Sequence, residues 1–382
     1  MKIGIDARMY GPKQTGIGLY IKQIIQTLEQ IDTHNEYVIF LRRENWNEYQ
    51  PQSPNFKKVL ADVHWYGWKE QIILPFILRK QKVDLMHFPH WNVPLFYRRP
   101  FVMTIHDLLL LIYPTRRASK LNFLFYKIKS LSHRLVIKSA ATRARAIATV
   151  SAYSAGDIET ILHIPKNKII VTHIAPHIAD ENIDSVNPTA DKMAVANYKI
   201  TRPYVLYIGT ALPHKNLARL VQAWDLLPAE IKNKYQLALA GKIEYFYQTL
   251  KNDRAVQTAG DNIIFTNFVA DADVPALYKQ ATAFVYPSLY EGFGMPPLEA
   301  MFYHTPVCAA NVTSIPEVSK DGALYFNPQD PADIARAIEQ IITDDKLRQD
   351  LVKRGTAVVN SYSWDSTAQK TLEIYEQTLK NI

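Results

Sequence analysis

The sequence predicts an α/β protein of two domains, each built on a parallel sheet, and three observations carry that prediction. The chain has 382 residues, more than one hydrophobic core usually serves. Short apolar runs alternate with stretches of helical spacing, which is the pattern of strand–helix–strand units. A polar, proline-bearing stretch without sustained periodicity interrupts the series at residues 174–203 and reads as the linker. With 48% apolar and 21% charged residues the composition is that of a globular protein and excludes wholesale disorder.

In the first half KIGID, YVIFL, VDLMHF, FVMTIHD, RAIATVS and KIIVTHI read as strands, and YIKQIIQTLEQI as an amphipathic helix. In the second half the strands are YVLYIGT, QLALAG, NIIFTNFV, AFVYPS, TPVCAA and ALYF, with NLARLVQAWDLL and PADIARAIEQII as helices between them. The last segment, SWDSTAQKTLEIYEQTL, opens on Ser363 and keeps apolar residues at helical spacing, so a capped amphipathic helix ends the pattern. No short-period repeat and no low-complexity tract interrupts the series.

The single cysteine, Cys308, lies inside the apolar run TPVCAA and reads as a buried filler, which sets aside a disulfide scaffold or a thiolate metal site. The start, MKIGIDARMYG, lacks a secretory pattern and reads as a strand entering a glycine turn, so a cytoplasmic chain is expected. Apolar runs such as QIILPFIL fall short of the roughly 18–20 residues that span a bilayer. Net charge is +8 and unevenly placed: residues 1–185 hold 25 Lys and Arg against 15 Asp and Glu, the rest 19 against 21. A basic face of this kind suits nucleic acid, anionic lipid or a phosphorylated acceptor. No nucleic-acid module accompanies the charge, so a nucleic-acid partner is not expected.

The chemistry concentrates at SLYEGFGMPPLEAMFYH, residues 288–304. A strand runs into a glycine turn, and a helix follows whose early prolines sacrifice no hydrogen bond, because the first amides of a helix lack an intrahelical partner. Those amides and the positive end of the helix dipole favour a phosphate. Glu291 and Glu299 would repel it on close approach. They fit instead as acceptors for hydroxyls on either side, so a polyhydroxylated ligand with a phosphate in its middle, such as a sugar nucleotide, satisfies the motif. Read without its neighbours, the pair would be a turn residue and a solvated helix residue.

The string from Glu291 to Pro306 resembles the donor-binding signature of the retaining glycosyltransferases of family 4, which have the two-domain GT-B architecture. The resemblance covers most of the chain and implies two Rossmann-like domains whose parallel sheets face across a cleft. Residues 1–185 would form the acceptor-binding domain, 186–362 the nucleotide-sugar-binding domain, and 363–382 a helix returning to the first. By this resemblance Glu291 binds hydroxyls of the transferred sugar and Glu299 the ribose, while the main chain at Phe293, Gly294 and Met295 meets the sugar or diphosphate. IDARMYGPKQTGIGLYIKQII resembles the first strand and glycine loop, where Gly16 and Gly18 let backbone approach the diphosphate. His106, in VMTIHD, matches a histidine that contacts the donor sugar near its 6-hydroxyl. YIGTALPHKNL resembles the loop in which Lys215 neutralises the leaving diphosphate. There Gly209 is followed by Thr210, where many relatives carry an arginine; a hydroxyl cannot supply that charge, and His214 stands next to Lys215 as its partial replacement. APHIAD replaces the more usual Pro-Asn-Gly ending of the first domain.

The implied activity is transfer of a hexose, first of all mannose from GDP-mannose, to a glycan or lipid-linked acceptor, as in mannosyl- and rhamnosyltransferases of bacterial polysaccharide assembly. No cofactor and no metal is implied, and DAD at 271–273 reads as helix caps rather than metal ligands. Two other readings are a sugar-nucleotide epimerase or hydrolase on the same scaffold, and a membrane- or glycan-binding protein that has lost transfer. The stretch 116–140 mixes basic residues with Leu121, Phe123 and Phe125 and reads as a helix suited to an anionic membrane or to packing on its own domain. Aromatics at 64–70 and 90–98 are candidates for stacking on acceptor sugars.

Overall fold

The computed structural model describes residues 1–114, 134–176 and 188–380. The basic stretch 116–140 therefore falls mostly outside the described residues, as does position 185. The chain forms two compact units, one of Met1–Ala175 with the chain from Ser363 on, the other of Pro176–Tyr362.

The first unit holds a seven-stranded sheet in the order β3-β2-β1-β4-β5-β6-β7, every pair parallel. Its strands are β1 Lys2–Asp6, β2 Glu36–Leu41, β3 Phe56–Leu60, β4 Leu85–Phe88, β5 Phe101–Ile105, β6 Ala146–Thr149 and β7 Ile169–Val171. Central strands such as β4 and β5 are buried along their whole length, as strands covered on both faces must be, and so read as continuous apolar runs. Strand β3, FKKVL, escapes that reading: it lies at the sheet edge beside β2 alone and carries Lys57 and Lys58. The helix Trp364–Lys380 packs against Thr15–Ile31 and buries Ile374 and Tyr375. Thr367 Oγ1 donates to the His173 carbonyl at 2.6 Å, and Tyr375 OH pairs with His87 Nδ1 at 2.7 Å.

The second unit holds a six-stranded parallel sheet in the order β10-β9-β8-β11-β12-β13. Its strands are β8 Tyr204–Ile208, β9 Gln236–Ala240, β10 Ile263–Asn267, β11 Ala283–Tyr286, β12 Val307–Ala310 and β13 Ala323–Phe326. Cys308 is fully buried in β12, and burial pushes its thiol up to about 12. Two local expectations fail here. The stretch read as linker contains a helix, Pro188–Ala196, packed on Val274–Gln280; its inward face offers little beyond Val195, too sparse a pattern to show in the sequence. Asp273 occupies the cap position of Val274–Gln280 yet makes no capping bond, because its carboxylate accepts the Tyr198 hydroxyl at 2.6 Å. Among the described residues no cluster of three or more His, Cys, Asp or Glu is placed to hold a metal ion, and no helix is long and apolar enough to cross a membrane.

Each sheet reverses its winding beside its first strand, between β1 and β4 and between β8 and β11. In doubly wound sheets the loops at the carboxyl ends of such strands form the binding crevice.

Each unit also buries a histidine. Burial holds His87 down at about 3, with His106 adding to the effect, and holds His214 at about 4, aided by Lys215. The unfolded chain binds a proton on each below roughly pH 6.5, whereas the folded chain does not. Stability is therefore complete above that pH and falls as the pH drops toward 4, by roughly 2 kcal/mol per histidine at pH 5. Urea midpoints should fall between pH 7 and pH 5; identical midpoints would show that these histidines are protonated in the fold.

Candidate active site

The second unit gathers most of the predicted groups at its switch point. β8 ends at Ile208, and Gly209 leaves it with its N–H donated to the Ala240 carbonyl at 2.9 Å and its own carbonyl accepting Tyr247 OH at 3.0 Å. Thr210 is exposed, with its carbonyl accepting Tyr207 OH at 2.8 Å. A short 3-10 turn, Pro213–Lys215, then presents Lys215 toward the loop that follows β11.

Lys215 Nζ lies 2.6 Å from Glu291 Oε1, with side-chain exposures of 17% and 13%. The Tyr286 hydroxyl, at the end of β11, lies 3.4 Å from the same ammonium. Burial pushes the Glu291 carboxyl up, but the Lys215 charge and the hydrogen bonds from Lys215 and Tyr286 outweigh it, so the net shift is downward. Glu291 is thus a carboxylate at neutral pH, held against the cation. His214 is a different matter. It is buried and held near 4, so it is neutral at physiological pH and does not replace the charge missing at Thr210.

Residues far apart in sequence fix this loop. The Asn216 amide donates to the carbonyls of Pro287 at 3.1 Å and Pro328 at 2.7 Å, from a backbone at φ +61°. Ser314 Oγ donates to the carbonyls of Glu291 and Phe293 at 2.9 and 3.0 Å, and the Glu291 N–H donates to Thr313 Oγ1 at 3.2 Å. The Phe293 ring is buried against Tyr362. Gly294 adopts φ +92°, a region glycine enters without strain, and caps the helix Met295–Phe302. Pro296 and Pro297 carry no N–H, so the helix start offers an anion the amides of Gly294 and Met295. Glu299, on that helix, is partly buried and accepts Tyr278 OH at 3.0 Å; burial raises its carboxyl against that bond, which sets it apart from a solvated helix residue.

The first unit holds the other three predicted residues. His106 follows β5, donates Nε2–H to the Pro89 carbonyl at 3.0 Å and packs edge-on to Tyr20 at 4.7 Å. Burial lowers it to about 4, so the ring is neutral and its Nδ1 is an acceptor by valence. Gly16 and Gly18 both lie in Thr15–Ile31 but are glycines for different reasons. A Cβ on Gly18 would collide with the carbonyls of Gly11 and Met9, whereas one on Gly16 would meet nothing within 4 Å. Gly18→Ala should therefore lower thermal stability, while Gly16→Ala should fold normally and lose turnover through its effect on an approaching ligand. Full turnover in folded Gly16→Ala would remove the glycine loop from the reaction.

Tyr286, Asn216 and Ser314 are not flagged by any motif; their signal is that each sits at the end of a strand or the start of a helix beside the glycine turn. The Asp6–Arg8–Glu70 network is likewise visible only in three dimensions: Arg8 Nη2 lies 2.8 Å from Asp6 and 2.7 Å from Glu70, all but sealed from water. It braces the carboxyl end of β1.

The chain is similar to known proteins over most of its length. Residues 15–174 match the model described as Glycosyltransferase Family 4 and residues 190–358 that described as Glycosyl transferases group 1. The O-antigen chain mannosyltransferase B of Escherichia coli is 34% identical over 305 residues, 78% of this chain and 76% of that protein. The serotype-specific mannosyltransferase WbdA of the same organism is 30% identical over 73% of this chain, which spans only 34% of that longer protein. In fold the chain is similar to HepE of Anabaena, solved in complex with UDP and glucose, at a TM-score of 0.72 and 18% identity over 98% of this chain and 99% of that one. With two doubly wound parallel sheets and these relatives, the chain belongs to the family 4 glycosyltransferases of the GT-B fold and is a glycosyltransferase.

Proposed function

We propose that the protein transfers mannose from GDP-mannose to a glycan or lipid-linked acceptor, with retention of the anomeric configuration. The observation that carries the donor half of this reading is the Lys215–Glu291 pair at the carboxyl ends of β8 and β11, beside the Gly294 and Met295 amides. The names of the two E. coli relatives support the sugar. The reading assigns the second unit to the nucleotide sugar and the first to the acceptor.

Charge builds on the departing diphosphate as the glycosidic bond breaks. Lys215 and the two amides stabilise that charge, and they do so most strongly in the transition state. Glu291 accepts hydroxyls of the transferred sugar and keeps Lys215 in place. Glu299 accepts a ribose hydroxyl. The acceptor hydroxyl attacks the face the diphosphate leaves, and the departing phosphate takes its proton. Because Lys215 and the amides supply the countercharge, the reaction is proposed to run without a metal.

A panel of nucleotide sugars scored by protection against thermal unfolding tests the donor. GDP-mannose should give the largest shift and should label an acceptor glycan with mannose in the presence of EDTA. A larger shift from another nucleotide sugar, with no mannose transferred, would refute the assignment, and loss of transfer in EDTA would refute the metal-free step.

A further inference from the structure

The helix Trp68–Lys80 is apolar on two faces. Leu74 and Leu78 enter the core, and Glu70 pairs with Arg8. The other face carries Trp68, Ile72 and Phe76 one turn apart, exposed by 67%, 51% and 70%. A helix apolar all round is normally buried; here no described segment covers the second face. Phe96, 64% exposed, lines a hollow of about 460 Å³ together with Ile72 and Phe76, and Arg79, Arg98 and Arg99 edge it.

A second hollow, of about 590 Å³, shares Tyr97, Arg98 and Arg99 with the first and runs under the amino ends of β5, β6 and β7. Arg143, Arg145 and Lys168 add three more cations to it. Among the described residues no Asp or Glu lines either hollow. Arg143 donates to the Tyr97 carbonyl at 2.6 Å and Lys168 to the Thr142 carbonyl at 3.0 Å, and among the described residues neither has a carboxylate partner. Burial, and then the Arg98 charge, lower the Arg143 guanidinium from its usual range. The hollow under β5, β6 and β7 lies at the opposite strand ends from His106 and does not belong to the donor chemistry.

We propose that this face docks the first unit on an anionic lipid bilayer, with Trp68, Ile72, Phe76 and Phe96 entering the headgroup boundary and Arg98, Arg99, Arg143, Arg145 and Lys168 taking lipid phosphates. Apolar insertion beside clustered cations is the combination that binds anionic membrane surfaces. An apolar patch alone would suit a protein partner; the continuous, acid-free basic rim selects lipid.

The test sediments the full chain, without donor, against vesicles of phosphatidylcholine alone or mixed with phosphatidylglycerol. Binding should require phosphatidylglycerol and weaken as salt rises. Two variants, Ile72→Ser with Phe76→Ser and Arg99→Ser with Arg145→Ser, should each bind about tenfold or more weakly while keeping wild-type folding and turnover on a soluble acceptor. Equal binding to both vesicle types, or undiminished binding by both variants, would overturn the proposal. So would self-association through this face in light scattering, or stabilisation by inorganic phosphate through Arg99 and Arg145 with no vesicle bound.

Discussion

Lys215→Ala is expected to lower kcat about a hundredfold, or ~3 kcal/mol, with a smaller change in KM. The size of the loss depends on what the neighbourhood can offer in its place. Thr210 has no charge, and His214 stays neutral in the variant, because burial is the first cause of its low value and survives the substitution. Neither of these neighbours then replaces the ammonium. The variant should also be less stable, by roughly 2 kcal/mol, since it strands the Glu291 carboxylate in a largely buried place. Urea midpoints separate that loss from the catalytic one, and Lys215→Arg, which keeps the charge, should recover part of the activity. Wild-type kcat in folded Lys215→Ala would remove this residue from the chemistry.

Glu291→Ala should produce a loss of similar size, about a hundredfold, but with a different signature. If Glu291 reads sugar hydroxyls, the variant loses affinity for the intact donor while its affinity for free GDP changes little or tightens, because Lys215 is released from its 2.6 Å partner. Calorimetric titration with GDP and with GDP-mannose tells the two apart. Equal weakening for both ligands would mean that Glu291 acts only by holding the loop. Because the two side chains touch, the double variant should lose less than the sum of the single losses.

The sheets were legible because their strands are buried on both faces and alternate with helices, so apolar runs such as FVMTIHD and AFVYPS point directly at them. Strand β3 was not, since an edge strand bearing Lys57 and Lys58 has no such run. The helix Pro188–Ala196 hid for a related reason, having one short inward face. At the candidate site the glycine turn, Glu291 and Glu299 stood out through their local spacing, and Lys215 through the resemblance of YIGTALPHKNL to a family loop. Asn216 and Ser314 did not: Asn216 reaches a carbonyl 112 residues away, and Ser314 reaches back 23 residues to Glu291. His214 shows the same limit in electrostatic terms, because its residue type suggests a cation and only its burial reveals a neutral ring.

The most direct measurement is a structure of the chain bound to GDP-mannose. The account predicts the diphosphate at Lys215 Nζ and at the amides of Gly294 and Met295, at ordinary hydrogen-bond distances of about 2.7–3.2 Å, with Glu291 on the mannose and Glu299 on the ribose. A diphosphate bound away from these groups, with the Lys215–Glu291 pair undisturbed, would contradict it.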